Sequence, residues 1–391
     1  MQSKQTVQVG LLTLVALGLL TAIFYTPTWW VSLTAPNYPT ESFPDGVRIH
    51  FHMNGVFNGC QKQDKAEIQE DEALDCVHEM DTINHYVGMY PIAAGGPVER
   101  AFSQFLLVML GVMLLGFMCT NPKLRMGIMG VGFAGIIGWM YMTIYIEGGF
   151  SLENGGYVEA MVTALDQDAG GDKSEEPEFV IGGIVGVLKN SLAESGVSVV
   201  LPSEMNKSEG GAAADKAELI EQLRITYDRD QQKQENPIAW SGSTFDVMTW
   251  HYAKSLGRYF NNQAEIIPMV ANLKIAINVV FIGLIGAMAL LIFGARKNSG
   301  LLFWLLVLVP IALPVFFIID YSAWLWWYGH TLNDMGAFSV KPFMPTVFGQ
   351  GKVAQFATHS YPSIGFGLMM LTSLVLGLAA LIRKKQFRGG V

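Results

Sequence analysis

Six runs of the chain are long and apolar enough to cross a lipid bilayer: residues 7–30, 101–120, 126–146, 270–294, 301–319 and 364–382. The hydrocarbon layer is about 30 Å thick, so a spanning helix needs roughly 20 apolar residues. Inside that layer each backbone amide must be satisfied by protein, which makes helix the expected state of such runs. Composition agrees. The 391 residues are 51% hydrophobic and 15% charged, with mean hydropathy +0.33, values that a soluble chain of this length rarely combines. The expected fold class is an α-helical integral membrane protein with six transmembrane helices. Lys4 ahead of the first run admits a signal-peptide reading. No small-residue cleavage pattern follows, and Trp29–Trp30 reads as an interfacial anchor, so the run is taken as a retained span.

Charge sets the expected orientation. The short segments 121–125 and 295–300 carry Lys123, Arg125, Arg296 and Lys297, and the tail carries Arg383, Lys384, Lys385 and Arg388. None of these segments holds an acid. The positive-inside rule places them, with both termini, in the cytoplasm. The extracytoplasmic parts are then 31–100, 147–266 and 320–362, of mixed α/β and loop structure. All 33 Asp and Glu and all seven His lie there or at their membrane borders. The net charge of −8 argues against a nucleic-acid partner. A bacterial inner membrane with a periplasmic working face is the expected setting, and the lipid bilayer is the first partner.

In the first outer region, "GVRIHFHM" (46–53) alternates as a strand with His50 and His52 on one face. Cys60 and Cys76 flank an acidic segment and suit a disulfide in an oxidising compartment. Cys119, at the end of the second span, reads as an unpaired packing residue. In the second region, "DQDAGGDKSEEPE" and "SEMNKSEGGAAADK" read as flexible, and "FVIGGIVGVLKNSLAESGVSVV" as an interfacial element. Residues 213–234 read as a charged helix, and Ser243 as the cap of another running to about Asn261. The aromatic, Pro- and Gly-rich third region, 321–361, reads as loop. Gly130, Ala134 and Gly138 recur every four residues in the third span, which suits close helix packing.

The spans hold almost no ionisable residues, and the chain has no P-loop and no haem-attachment motif. Chemistry is therefore expected outside the membrane, and "CVHEMDTINHYVGMYPI" (76–92) is where soft ligands gather. On a helix, His85 and Met89 at i, i+4 face one way, and imidazole with thioether suits copper, above all Cu(I). Asp81, one turn earlier, is placed to orient the imidazole. Met80, His52, Met53 and His78 are candidates to complete the shell. A packed polar loop accounts for the same residues equally simply. His251 reads as a surface or packing residue and His359 as structural. "DYSAWLWWYGHTLNDMG" (320–336) brings Trp324, Trp326 and Trp327 as interface anchors, with His330, Asp334 and Met335 on the same side as His85.

Taken together, "LTAPNYP…FPDGVRI", "INHYVGMYPI", "WWYGHTLNDMGAF" and "GQGKVAQFATHSYPSIG" resemble a family of six-helix membrane proteins encoded with nitrous oxide reductase and its copper-maturation proteins. The likeness covers the membrane frame and the first and third outer regions. It carries over to Asn84, His85, Tyr86, Gly88 and Met89, and to Tyr328, Gly329, His330 and Asp334. Val87 and Asn333 depart from the family pattern, which has Ile and an acid there. His50, His52, Cys60 and Cys76 lie outside that pattern, and the acidic insertions are extra.

Three functions follow as expectations. The first is a membrane accessory protein, not an enzyme, that binds or passes copper to a membrane or periplasmic copper enzyme or its maturation proteins. The second is a non-catalytic subunit of a larger membrane oxidoreductase. The third is a quinol-fed electron conduit, for which the chain lacks haem and iron–sulfur motifs.

Overall fold

The computed structural model describes residues 2–60, 75–166, 211–298, 300–337, 342–353 and 355–388. The acidic segment after Cys60 and the stretches expected to be flexible or interfacial between 167 and 210 lie outside them. Five helices are long and apolar enough to cross a membrane: α1 (Gln2–Tyr25), α3 (Pro97–Met118), α4 (Pro122–Tyr145), α8 (Gln263–Gly294) and α11 (Ile364–Arg388). A sixth crossing, if it is one span, is made by α9 (Leu301–Ile311) and α10 (Leu313–His330), bent by 64° between them. The chain is thus a helical membrane protein with a small antiparallel sheet.

The bend corrects the straight fifth span expected from sequence. Pro310 and Pro314 flank Ala312, and each removes a backbone donor from the helical ladder. Beyond the bend α10 continues to His330, so the first part of the third outer region is helix, not loop.

One end of the bundle is basic. Arg125 and Arg383 are fully buried there. Arg125 donates to the carbonyls of Gly116, Cys119, Ala295 and Lys297 and to Asn298 Oδ1, over 2.7–3.2 Å. Arg383 donates to the carbonyls of Phe117 and Met118. The last carbonyls of a helix have no partner within it, and its C-terminal dipole favours a cation. These two residues, expected only as topology signals, tie together the ends of α3, α8 and α11.

The opposite end carries the sheet, in the order β3-β2-β1-β5-β4 and antiparallel throughout. Its strands are β1 (Trp29–Thr34), β2 (Val47–His52), β3 (Gly55–Asn58), β4 (Gly349–Val353) and β5 (Phe356–Pro362). The central pair, β1 with β5, joins the first outer region to the third, with Trp29 opposite Pro362 and Ser32 opposite His359. Sequence reading missed both β1 and β5. Trp29 is not an interfacial anchor but is 1% exposed. It is ringed by Phe317, Tyr321, Phe348 and Phe366 at 5.5–6.2 Å, and its Nε1 donates to Ser360 Oγ at 2.9 Å. A polar handle on so large a buried ring normally finds such a partner.

Against this sheet pack α2 (Cys76–Val87) and α5 (Gly155–Asp166). The charged helix α6 (Gly211–Gln231) covers α5, and α7 (Thr244–Gly257) packs beside α8. Ser243 caps α7 as expected, accepting from the amide of Asp246. The disulfide Cys60–Cys76 fastens the start of α2 next to the end of β3. Gly130 and Gly138 meet nothing within 4 Å, and Ala134 is exposed, so that stripe packs no helix among the described residues.

Candidate functional site

The expected ligands sit on and around α2. Asp75 starts the helix by accepting from the amides of Val77 and His78 at 3.0 and 3.1 Å. Gly88 ends it in the left-handed region, φ 101°, where its amide reaches back to the carbonyls of Asn84 and His85. This stop separates the expected pair. Met89 leaves the helical path, its amide bonds Asn84 O at 2.8 Å, and its thioether enters the core at 5% exposure. His85 and Met89 therefore do not share a helix face. Met80, 2% exposed, is also core.

His85 is half-buried. Its ring stacks on Tyr259 at 4.5 Å and lies against Phe260 at 4.7 Å. Burial lowers its pKa, which favours the neutral imidazole that metals bind. Asp81 does not orient that ring. Its Oδ1 accepts from the amide of Ile92 at 2.7 Å, at the short 3-10 turn Ile92–Ala94. Burial pushes its carboxyl up to about 7, partly offset by the Ile92 amide, by Arg258 and by the Ala93 amide.

Three polar atoms remain on this helix. Asp81 Oδ2, Asn84 Nδ2 and His85 Nδ1 are buried and have no hydrogen-bond partner among the described residues. Asp81 and Asn84 are themselves 1% and 7% exposed. Their positions, i, i+3 and i+4, lie along one face of α2. An unmade bond at a buried polar atom costs about 1–3 kcal/mol. Of these, the carboxylate oxygen and the imidazole nitrogen can ligate a cation, and the Asn84 amide can do so only when turned to present its oxygen.

The second expected stretch docks on the end of this helix. Asn333 N donates to Gly88 O at 2.8 Å, and Ala337 N to Tyr86 O at 2.9 Å. Gly336 lies so close to Gly88 that a Cβ there would stand 2.6 Å from Gly88 N and 2.8 Å from Val87 O. Tyr328, 3% exposed, donates to Ile92 O at 3.0 Å and leaves no room for a side chain at Gly95. The backbone of Phe343 likewise fills the space beside Gly329. Tyr90 Oη donates to Glu265 Oε2 at 2.5 Å, and Asn333 Nδ2 reaches the same oxygen at 3.5 Å.

The segments meet, but the expected rings do not. His330 is exposed, stacks on Trp326 at 4.4 Å, and engages Trp326 O through Nδ1 at 2.8 Å. With Nδ1 donating, a neutral His330 keeps its lone pair on Nε2. Asp334 and Met335 are exposed in the following turn. His52 lies on β2, edge-on to Phe57 at 4.9 Å, and burial followed by repulsion from His50 lowers its pKa to about 4. His78 Nδ1 is taken by Arg258 at 3.0 Å. His251, read as a surface or packing residue, is buried, with Nε2 at 2.9 Å from Met161 O. Among the described residues no group of three His, Cys, Asp or Glu is placed to hold a metal. Tyr259, Phe260 and Glu265 were missed. They lie more than 170 residues from α2 and carry no local signal.

No family model, curated protein or solved structure matches this chain.

Proposed function

We propose that this chain is a bacterial inner-membrane accessory protein that takes up copper at its sheet-bearing, periplasmic end and passes it to a copper enzyme of nitrous oxide respiration. The observation that supports this reading is the set of unpartnered buried atoms on α2: Asp81 Oδ2, Asn84 Nδ2 and His85 Nδ1. Copper is cargo here, not a resident cofactor. His85 is the primary ligand, in its neutral form, and Asp81 supplies charge. Asn84 turns its amide oxygen toward the ion, an assignment open because amide N and O are set by their partners. The thioethers of Met80 and Met89 belong to the core that includes α2, and His330 stands exposed where copper is handed over. Cargo must leave as well as bind, and the half-buried His85 is the member of the set through which it enters and leaves.

A second reading has its own observation. The contacts of Gly88, Gly336, Tyr328 and Gly329 account for much of both resembling stretches by packing alone. In that case the chain is a structural subunit of a larger membrane oxidoreductase.

Titration of Cu(I) into metal-stripped protein against a competing chelator separates them. One-to-one binding, lost in His85→Ala and weakened in Asp81→Asn, is the expected result. Absence of binding, or binding indifferent to those changes, overturns the copper reading and leaves the structural subunit.

A further inference from the structure

A cavity of about 500 Å³ opens between the first turn of α3, α7, α8 and the C-terminal half of α10. Its upper wall holds two carboxylates, Glu99 and Asp320, and three aromatic rings, Tyr252, Trp324 and Trp327. Its α8 wall runs from Met269 to Val280 and is apolar but for Asn272. Neither carboxylate belongs to an ion pair among the described residues. Glu99 Oε1 accepts weakly from Trp324 Nε1 at 3.4 Å, and Glu99 Oε2 is buried with no partner among them. No Lys or Arg lines the cavity.

This lining selects by charge. Two acids at the rim of a membrane helix bundle are costly unless something positive meets them. Aromatic faces carry the same preference, since their negative quadrupole attracts a cation that has shed water. An anion is repelled, and a neutral apolar molecule leaves the acids unmet. The apolar part of the α8 wall, Leu273 to Val280, calls for a hydrocarbon chain attached to the charge. We propose that the cavity binds an amphipathic organic cation, an alkylammonium whose head sits between Glu99, Asp320 and the three rings and whose tail runs down α8. The site is separate from the α2 face and does not depend on the copper reading.

Equilibrium dialysis of the full chain in a non-ionic detergent tests this with labelled decyltrimethylammonium. The comparison ligands are tetramethylammonium, a neutral isostere with carbon in place of nitrogen, and a hydroquinone bearing the same tail. The expected result is saturable binding of decyltrimethylammonium, at least about tenfold tighter than the isostere, or about 1.4 kcal/mol. Tighter binding of the chain-bearing ammonium than of tetramethylammonium identifies a lipid-borne cation rather than a free one. Asp320→Asn and Trp324→Leu, each checked for an unchanged elution profile, should each weaken ammonium binding and leave the isostere alone. Glu99→Gln should do the same. Equal binding of ammonium and isostere makes the cavity an apolar cleft and overturns the proposal. So does stronger, carboxylate-dependent binding of the hydroquinone, which would make the acids hydrogen-bond acceptors for a neutral ligand.

Discussion

Gly336→Ala is the sharpest test of how the two ends of the outer structure are joined. A Cβ at 336 would stand 2.6 Å from Gly88 N and 2.8 Å from Val87 O, against an ordinary contact of 3.4 Å or more. These are backbone atoms at the end of a capped helix, so they cannot swing away as a side chain can. The protein has two responses. It absorbs the overlap, at about 1–3 kcal/mol for overpacking. Or the segment lifts off α2 and loses Asn333 N to Gly88 O and Ala337 N to Tyr86 O, each worth about 1 kcal/mol net. Either route costs about 2 kcal/mol, and the second shows directly at the amides. Hydrogen exchange of the Asn333 and Ala337 amides should accelerate by about thirtyfold, the factor that 2 kcal/mol represents. Gly138→Ala is the control, because nothing lies within 4 Å of that position. Unchanged exchange in Gly336→Ala would refute the close docking of α10's tail on α2.

Glu153 gives a pH signature. Gln104 Nε2 donates to its Oε2 at 2.7 Å and Thr244 Oγ1 to its Oε1 at 3.2 Å, yet burial raises its pKa to about 8. The native state then holds a proton that the unfolded state releases near 4.5, so stability falls as pH rises from about 4.5 to about 8. Thermal melts across that range should show the decline in wild type and a flatter profile in Glu153→Gln, and parallel profiles would dismiss it. The Cys60–Cys76 bridge has a sequence separation of 16. Reduction should cost about 3 kcal/mol in the chain-entropy model, read as a lower melting temperature, and no change would mean the thiols are not paired in the protein. Arg125→Met should strip six hydrogen bonds from the basic end and destabilise by about 3 kcal/mol or more. Arg125→Lys should recover little, because one ammonium cannot serve acceptors spread over α3 and the α8–α9 turn. A near-normal melt in Arg125→Met would show that those carbonyls find other partners.

The helical frame was legible because bilayer thickness imposes a length that composition alone reveals. The α7 cap and the β2 strand were legible because Ser243 and the His50–His52 alternation act locally. The bend at Ala312 was readable too, from Pro310 and Pro314, but a continuous apolar run hid it. The β1–β5 pairing was not readable. Its partners lie some 330 residues apart, and "WWVSLT" suits an interfacial anchor as well as a strand. Only burial by Phe317, Tyr321 and Phe366 decides between them.

The α2 site shows the same division at finer scale. The spacing of Asp81, Asn84 and His85 fixes a shared helix face wherever the helix lies. What each side chain does there depends on which partners reach it first. The amide of Ile92, freed by a 3-10 turn, takes one oxygen of Asp81 and leaves the other unspent. Gly88 turns the chain left-handed one residue before Met89 and sends the thioether into the core instead of beside the imidazole. A strict i, i+4 argument assumes that the helix continues. Here the Gly that stops it also makes room for Gly336, so the geometry that removes Met89 from the helix face is the geometry that docks the His330 segment against His85's helix.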